Sequence, residues 1–109
     1  MPIHLGELEQ LVLLALVRLG EGAYGMSVRE ELARVARRHP SYATIYSTLQ
    51  RLETKGLVKA RLGEPTAERG GRRKRLFTLT ASGQGALRQS LGAVDRMARG
   101  VAPIFQDRS

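Results

Sequence analysis

Leu5, Leu8, Leu11, Val12, Ala15, Leu16 and Leu19 recur at helical spacing, so the segment from Leu5 to Leu19 reads as a helix. Leu13, Leu14 and Val17 fall between them and widen the apolar face, which predicts cover on more than one side. Glu7 and Glu9 occupy its first turns, where carboxylates suit the positive end of the helix dipole, and Gly20 offers a C-cap. The pattern predicts a second helix from Ser27 to Arg37. Ser27 is its expected N-cap, Glu30 completes a capping box, and Val28, Leu32 and Val35 form its inward stripe. Pro40 ends the segment by pushing His39 out of the helical region.

Ser41 is the expected N-cap of a third helix running to about Lys55, with Gly56 as its stop. Ile45, Leu49 and Leu52 point to the core. Ala43, Tyr46, Ser47, Gln50, Arg51 and Thr54 lie on the opposite side. The period then changes to two: Val58, Ala60 and Leu62 alternate with Lys59 and Arg61, as in a half-exposed strand. A turn-rich stretch from Gly63 to Arg72 follows, and Arg73 to Thr78 reads as the returning strand of a hairpin with a long basic tip. Thr80 caps a last helix, about Ala81 to Arg99, with Leu87, Leu91, Val94 and Met97 or Ala98 along one side. Gly83, Gly85 and Gly92 weaken it by up to about 1 kcal/mol each relative to alanine, so packing must hold it.

These elements predict a mainly α fold with a small β-hairpin: a winged helix-turn-helix with a three-helix core, a two-stranded wing and a C-terminal helix. At 109 residues a single small core is expected. Residues 5–80 are expected to form the winged unit, 81–102 the trailing helix and 103–109 a flexible tail.

Charge adds a functional direction. Lys and Arg number 18 against 10 Asp and Glu, a formal net charge of +8, which favours polyanions. The excess is local. Residues 1–28 carry Glu7, Glu9 and Glu21 against Arg18, whereas Arg51 to Arg75 holds Arg51, Lys55, Lys59, Arg61, Arg69, Arg72, Arg73, Lys74 and Arg75 against Glu53, Glu64 and Glu68. Cysteine is absent, which removes disulfides and sulfur-ligated zinc. His4 and His39 have no partners at metal-ligand spacing, and the Gly-rich tip lacks the strand–loop–helix setting of a phosphate-binding fingerprint. No cofactor and no catalysis are expected. Met1-Pro2-Ile3-His4 does not resemble a signal peptide, and the longest apolar run, Leu11 to Val17, is too short to span a bilayer. A cytoplasmic location and no membrane partner are therefore expected.

A polar, small-residue helix face beside a basic hairpin is what a duplex accepts: the helix reads base edges and the hairpin reaches phosphate or the minor groove. Tyr46, Ser47, Gln50 and Arg51 are the candidates on the third helix, with Ser41, Tyr42, Ala43 and Thr44 at its start. Gln50 suits a bidentate contact to adenine, and Arg51, late in the helix, suits phosphate more than guanine. Arg69, Arg72, Arg73, Lys74 and Arg75 are the wing candidates. Tyr24 is open to two roles, a phosphate contact or packing beneath the third helix. The other reading is a protein-interaction module with incidental basicity, resting on the broad apolar face of the first helix.

Three blocks carry a family resemblance: Ala23-Tyr24-Gly25 with Ala43-Thr44-Ile45-Tyr46, then Leu49 through Val58, then Arg72 through Gly83. In order and spacing, over roughly Leu5 to Leu91, the chain resembles the PadR-like transcriptional regulators. That resemblance implies a homodimeric, usually repressing protein that recognises an inverted repeat in double-stranded DNA. It also implies a third helix in the major groove, a wing on flanking DNA, and a trailing helix packed on the partner's helices. Leu5, Leu8, Val12, Leu87, Leu91, Val94 and Met97 are the expected dimer contacts. Phe77 stands where a tyrosine is common in the group, and Ser47 where proline is frequent. Some members sense flat aromatic compounds between aromatic side chains at the dimer centre. With no Trp and two Phe, this chain lacks the usual walls of such a site, and any small-molecule effector is left unidentified.

Overall fold

The computed structural model describes residues 4–65 and 73–101; Arg69, Arg72 and the tail 103–109 lie outside them. Four helices and one hairpin follow in order: α1 (Glu7–Leu19), α2 (Gly25–Glu31) extended by a π-helical turn (Leu32–Ala36), α3 (Tyr42–Thr54), β1 (Val58–Pro65), β2 (Arg73–Leu79) and α4 (Ala81–Ala98). The two strands are antiparallel, pairing Val58 with Leu79, Ala60 with Phe77 and Leu62 with Arg75. This is the expected winged helix-turn-helix with an added helix.

The core lies where α1, α2, α3 and the base of the hairpin meet. Val12, Leu13, Val28, Ile45, Leu49, Leu52, Leu57 and Phe77 are fully enclosed there. The backbone N–H of Phe77 donates to the carbonyl of Ala23 at 2.9 Å, which fastens the wing to the segment between α1 and α2. Gly56, at φ 78°, ends α3: its N–H reaches Glu53 and the N–H of Leu57 reaches Leu52, both at 2.9 Å. This Schellman arrangement turns the chain from α3 into β1.

Two ion-paired carboxylates tie helices together. Glu9 of α1 accepts from Lys55 at 2.8 and 3.0 Å and from the Gly6 amide at 2.9 Å. Burial pushes its carboxyl up, but Lys55, the Gly6 amide and the Arg51 charge outweigh that and hold it below the ordinary value. Glu31 accepts from Arg18 and Arg34, whose hydrogen bonds hold its carboxyl down.

Several sequence expectations need correction. The second helix starts two residues before Ser27: Tyr24 is its N-cap residue, and the Ser27 hydroxyl bonds back to the N–H and C=O of Tyr24 at 2.9 Å. Val35 is 44% exposed, because the π-helical turn rotates it off the inward stripe. Leu62 is also exposed, at the register shift between Leu62 and Pro65, where the pairing loses its alternation. Val12, Leu5 and Leu87, expected at a dimer interface, are buried within the protomer itself and have almost no surface left for a partner. Leu8 is half-buried against the same core.

Candidate nucleic-acid interface

α3 presents one exposed polar face, built by the register of its own core residues. Ile45, Thr48, Leu49 and Leu52 point inward, so Ala43, Thr44, Ser47, Gln50, Arg51 and Thr54 are turned to solvent. Ser41 caps the helix, its Oγ accepting from the Thr44 amide at 3.1 Å. The Ser41 hydroxyl also donates to Thr44 Oγ1 at 3.0 Å, and Ser47 Oγ donates to the Thr44 carbonyl at 3.1 Å. These local bonds keep short polar side chains close to the helix surface, which leaves it slim enough for a groove about 12 Å wide. Tyr42 and Tyr46 stack at the N-terminal end, ring centroids 6.0 Å apart and 25° from parallel.

β2 runs beside that end of α3. Tyr24, Gly25, Tyr42, Tyr46, Arg73, Lys74, Arg75 and Phe77 together line a cleft of about 380 Å³. The Lys74 ammonium lies 4.2 Å from the centroid of the Tyr24 ring, within cation–π range. Tyr24 is half-buried and stands between α2 and the wing, rather than beneath α3 alone. Arg73 Nε donates to the Gly63 carbonyl across the hairpin at 2.8 Å, leaving the rest of its guanidinium exposed. Arg75 bonds Glu53 of α3 at 2.7 Å and lies 5.7 Å from the Phe77 ring centroid.

The structure brings Tyr24, Tyr42, Tyr46, Arg73, Lys74 and Arg75 together at this cleft, with Tyr46 half-buried against the core, while Ser41, Ala43, Thr44, Ser47, Gln50 and Arg51 are exposed along α3 outside its lining. Lys55 is exposed as well, but Glu9 and the His4 carbonyl hold its ammonium. Glu53 and Phe77 were given no place in the interface by the sequence pattern. Glu53 carries a usable signal, lying three residues beyond Gln50 and so on the adjoining part of the same helix face.

The chain is matched by the model of the "Transcriptional regulator PadR-like family" over residues 13–89. It belongs to that family. The match takes in α2, α3, the hairpin and the first half of α4. Among solved structures, a PadR family regulator from Eggerthella lenta is similar at 26% identity and TM-score 0.67, over 94% of this chain and 88% of that one. Bacillus subtilis PadR, solved with operator DNA, is similar at 26% identity and TM-score 0.65, over 77% of this chain. The matched part is 47% of that longer regulator. A transcriptional regulator from Clostridium thermocellum shares the fold at TM-score 0.71 and 20% identity, over 90% and 89% of the two chains. No curated protein sequence matches the chain. No described helix is long and apolar enough to cross a membrane.

Proposed function

We propose that this PadR-family regulator binds double-stranded DNA sequence-specifically as a homodimer and represses transcription from the promoter it occupies. Residues 5–80 form the DNA-binding unit. α3 enters the major groove, with Gln50 and Ser47 facing base edges and Arg51 reaching phosphate, while Arg73, Lys74 and Arg75 lie over flanking phosphates. The observation that carries this reading is the shared cleft: it joins the N-terminal end of α3 to the cations of β2 on a single surface. Phosphate contacts fix register and base contacts fix sequence, and this surface offers both kinds side by side. The Bacillus subtilis relative seen with operator DNA supports the assignment.

Self-association is assigned to α4. Beyond Leu87 the helix leaves the core, and Leu91, Val94 and Met97 are 36%, 58% and 81% exposed along one stripe. An apolar stripe of this kind on an otherwise small-residue and polar helix calls for a partner, and a two-fold copy would present a second α3 to an inverted repeat. The experiment that tests the whole reading is selection from a random duplex library, with affinity for the selected site measured at several salt concentrations. An enriched, symmetric site with steep salt dependence is expected. No enrichment and a flat salt response would end the proposal.

A further inference from the structure

Resting on that reading, we propose that Glu53 is a built-in counter-charge: it holds Arg75 of the wing against α3 in the free protein and yields it to a DNA phosphate on binding. Glu53 is the one carboxylate of α3, half-buried near its end, and its Oε1 meets an Arg75 terminal nitrogen at 2.7 Å. The pair bridges the two parts of the interface that a duplex must engage together. Both side chains are partly open to solvent, 42% for Arg75 and 35% for Glu53, so the pair is weakly held and open to exchange.

The surroundings favour a trade over a permanent bond. Arg75 lines the cleft with Arg73, Lys74 and the tyrosines of α2 and α3. A phosphate entering this cleft meets Lys74 and Arg73 together with the free N–H donors of Arg75, since a guanidinium carries five. Glu53 then sits behind the arginine as the one group in the pair that repels the incoming charge. While the pair is closed, Arg75 adds no net charge to the surface. Sequence-independent attraction, which scales with the cations available to phosphate, is lowered accordingly. The same bond keeps the wing strand registered against α3 before DNA arrives.

Glu53→Gln removes the charge and keeps the shape. It is expected to raise affinity for duplex on the order of fivefold at 50 mM salt and to leave the slope of log affinity against log salt nearly unchanged, because Arg75 neutralises the same phosphate in both complexes. Arg75→Gln in the Glu53→Gln background should abolish the gain and make the slope shallower than the wild type's by about 0.9 per subunit, the phosphate contact being lost. In the free protein, the Arg75 side-chain Nε resonance should shift in Glu53→Gln, a readout that needs no DNA. Equal or weaker duplex binding by Glu53→Gln, or a double variant with the wild-type slope, would overturn the trade and leave Glu53 as a strut. Wild-type protein that fails to bind any duplex would instead strike the preceding proposal, while the free-protein resonance still reports whether the pair exists.

Discussion

Gly83 packs so closely on Leu57 that a methyl group at its Cα would overlap the Leu57 carbonyl oxygen. That same carbonyl accepts the Thr80 N–H at 3.0 Å, and the Thr80 hydroxyl donates to the Gly56 carbonyl at 2.7 Å. The start of α4 is thus fixed by backbone contact to the turn between α3 and β1. The position of the exposed Leu91–Val94–Met97 stripe relative to α3 depends on this contact. Gly83→Ala is expected to destabilise the fold by about 3 kcal/mol, since the obstacle is backbone and cannot rotate away. Gly85, two residues on, faces open space, so Gly85→Ala should stabilise by about 1 kcal/mol through helix propensity. Urea denaturation of both variants checks the pair of signs.

Acid stability should follow the carboxylates that hold the helices together. The Glu9 carboxyl is lowered from an ordinary value of 4.5 in the folded protein, and Glu31 is lowered in the same direction by Arg18 and Arg34. A depressed folded value means the unfolded chain binds protons first as pH falls. The stability these groups contribute is complete above about 4.5 and is lost as pH falls below it through the folded values. Glu9→Gln should cost about 2 kcal/mol at neutral pH, as for loss of hydrogen bonds to a charged group, and should flatten the acid limb. Denaturation midpoints measured from pH 7 down to pH 3 give both quantities. A limb of unchanged steepness would show that Glu9 is not among its causes.

What could be read from the sequence divides along a physical line. Features set by neighbours in the chain were legible: the Ser41 and Thr80 caps, the Gly56 stop, and the inward Ile45–Leu49–Leu52 stripe that exposes Gln50 and Arg51. Features set by distant contacts were not. Ser27 has the chemistry of an N-cap, but the docking of Ala23 against Phe77 places the start of α2 at Tyr24 instead. Periodicity marks Val12 and Leu87 as apolar-face residues without saying whether the covering surface belongs to the same chain, and here it does. The π-helical turn, which exposes Val35, leaves no mark in spacing or composition. Arg75 reads as a free cation of a basic run because its partner lies 22 positions away.

Dimerisation through α4 can be separated from folding. Val94 and Met97 make little contact with the protomer core, being 58% and 81% exposed. Substituting both by aspartate places charge on the proposed interface while leaving the core intact. Light scattering at micromolar concentration should report a dimer for the wild type and a monomer for Val94→Asp/Met97→Asp, with the unfolding transition still cooperative. Duplex affinity should fall steeply, because a lone subunit loses the second half-site. A double variant that remains dimeric would move the interface elsewhere.

The division of labour between α3 and the wing makes the last prediction. Gln50 is exposed on α3, and a good bidentate contact of its amide to a base edge is worth about 1–3 kcal/mol of discrimination. Gln50→Ala should therefore change which bases are preferred at one position of each half-site, with the salt slope nearly unchanged. Lys74 rests on the Tyr24 ring with its ammonium at the cleft, positioned for phosphate. Lys74→Ala should weaken selected and random duplexes alike and reduce the salt slope by about 0.9 per subunit. Selection repeated on each variant distinguishes the two roles, because a phosphate contact cannot alter the consensus and a base contact cannot leave it intact. If both variants returned the wild-type consensus, sequence would have to be read by other residues of α3, with Ser47 and Arg51 the next to test.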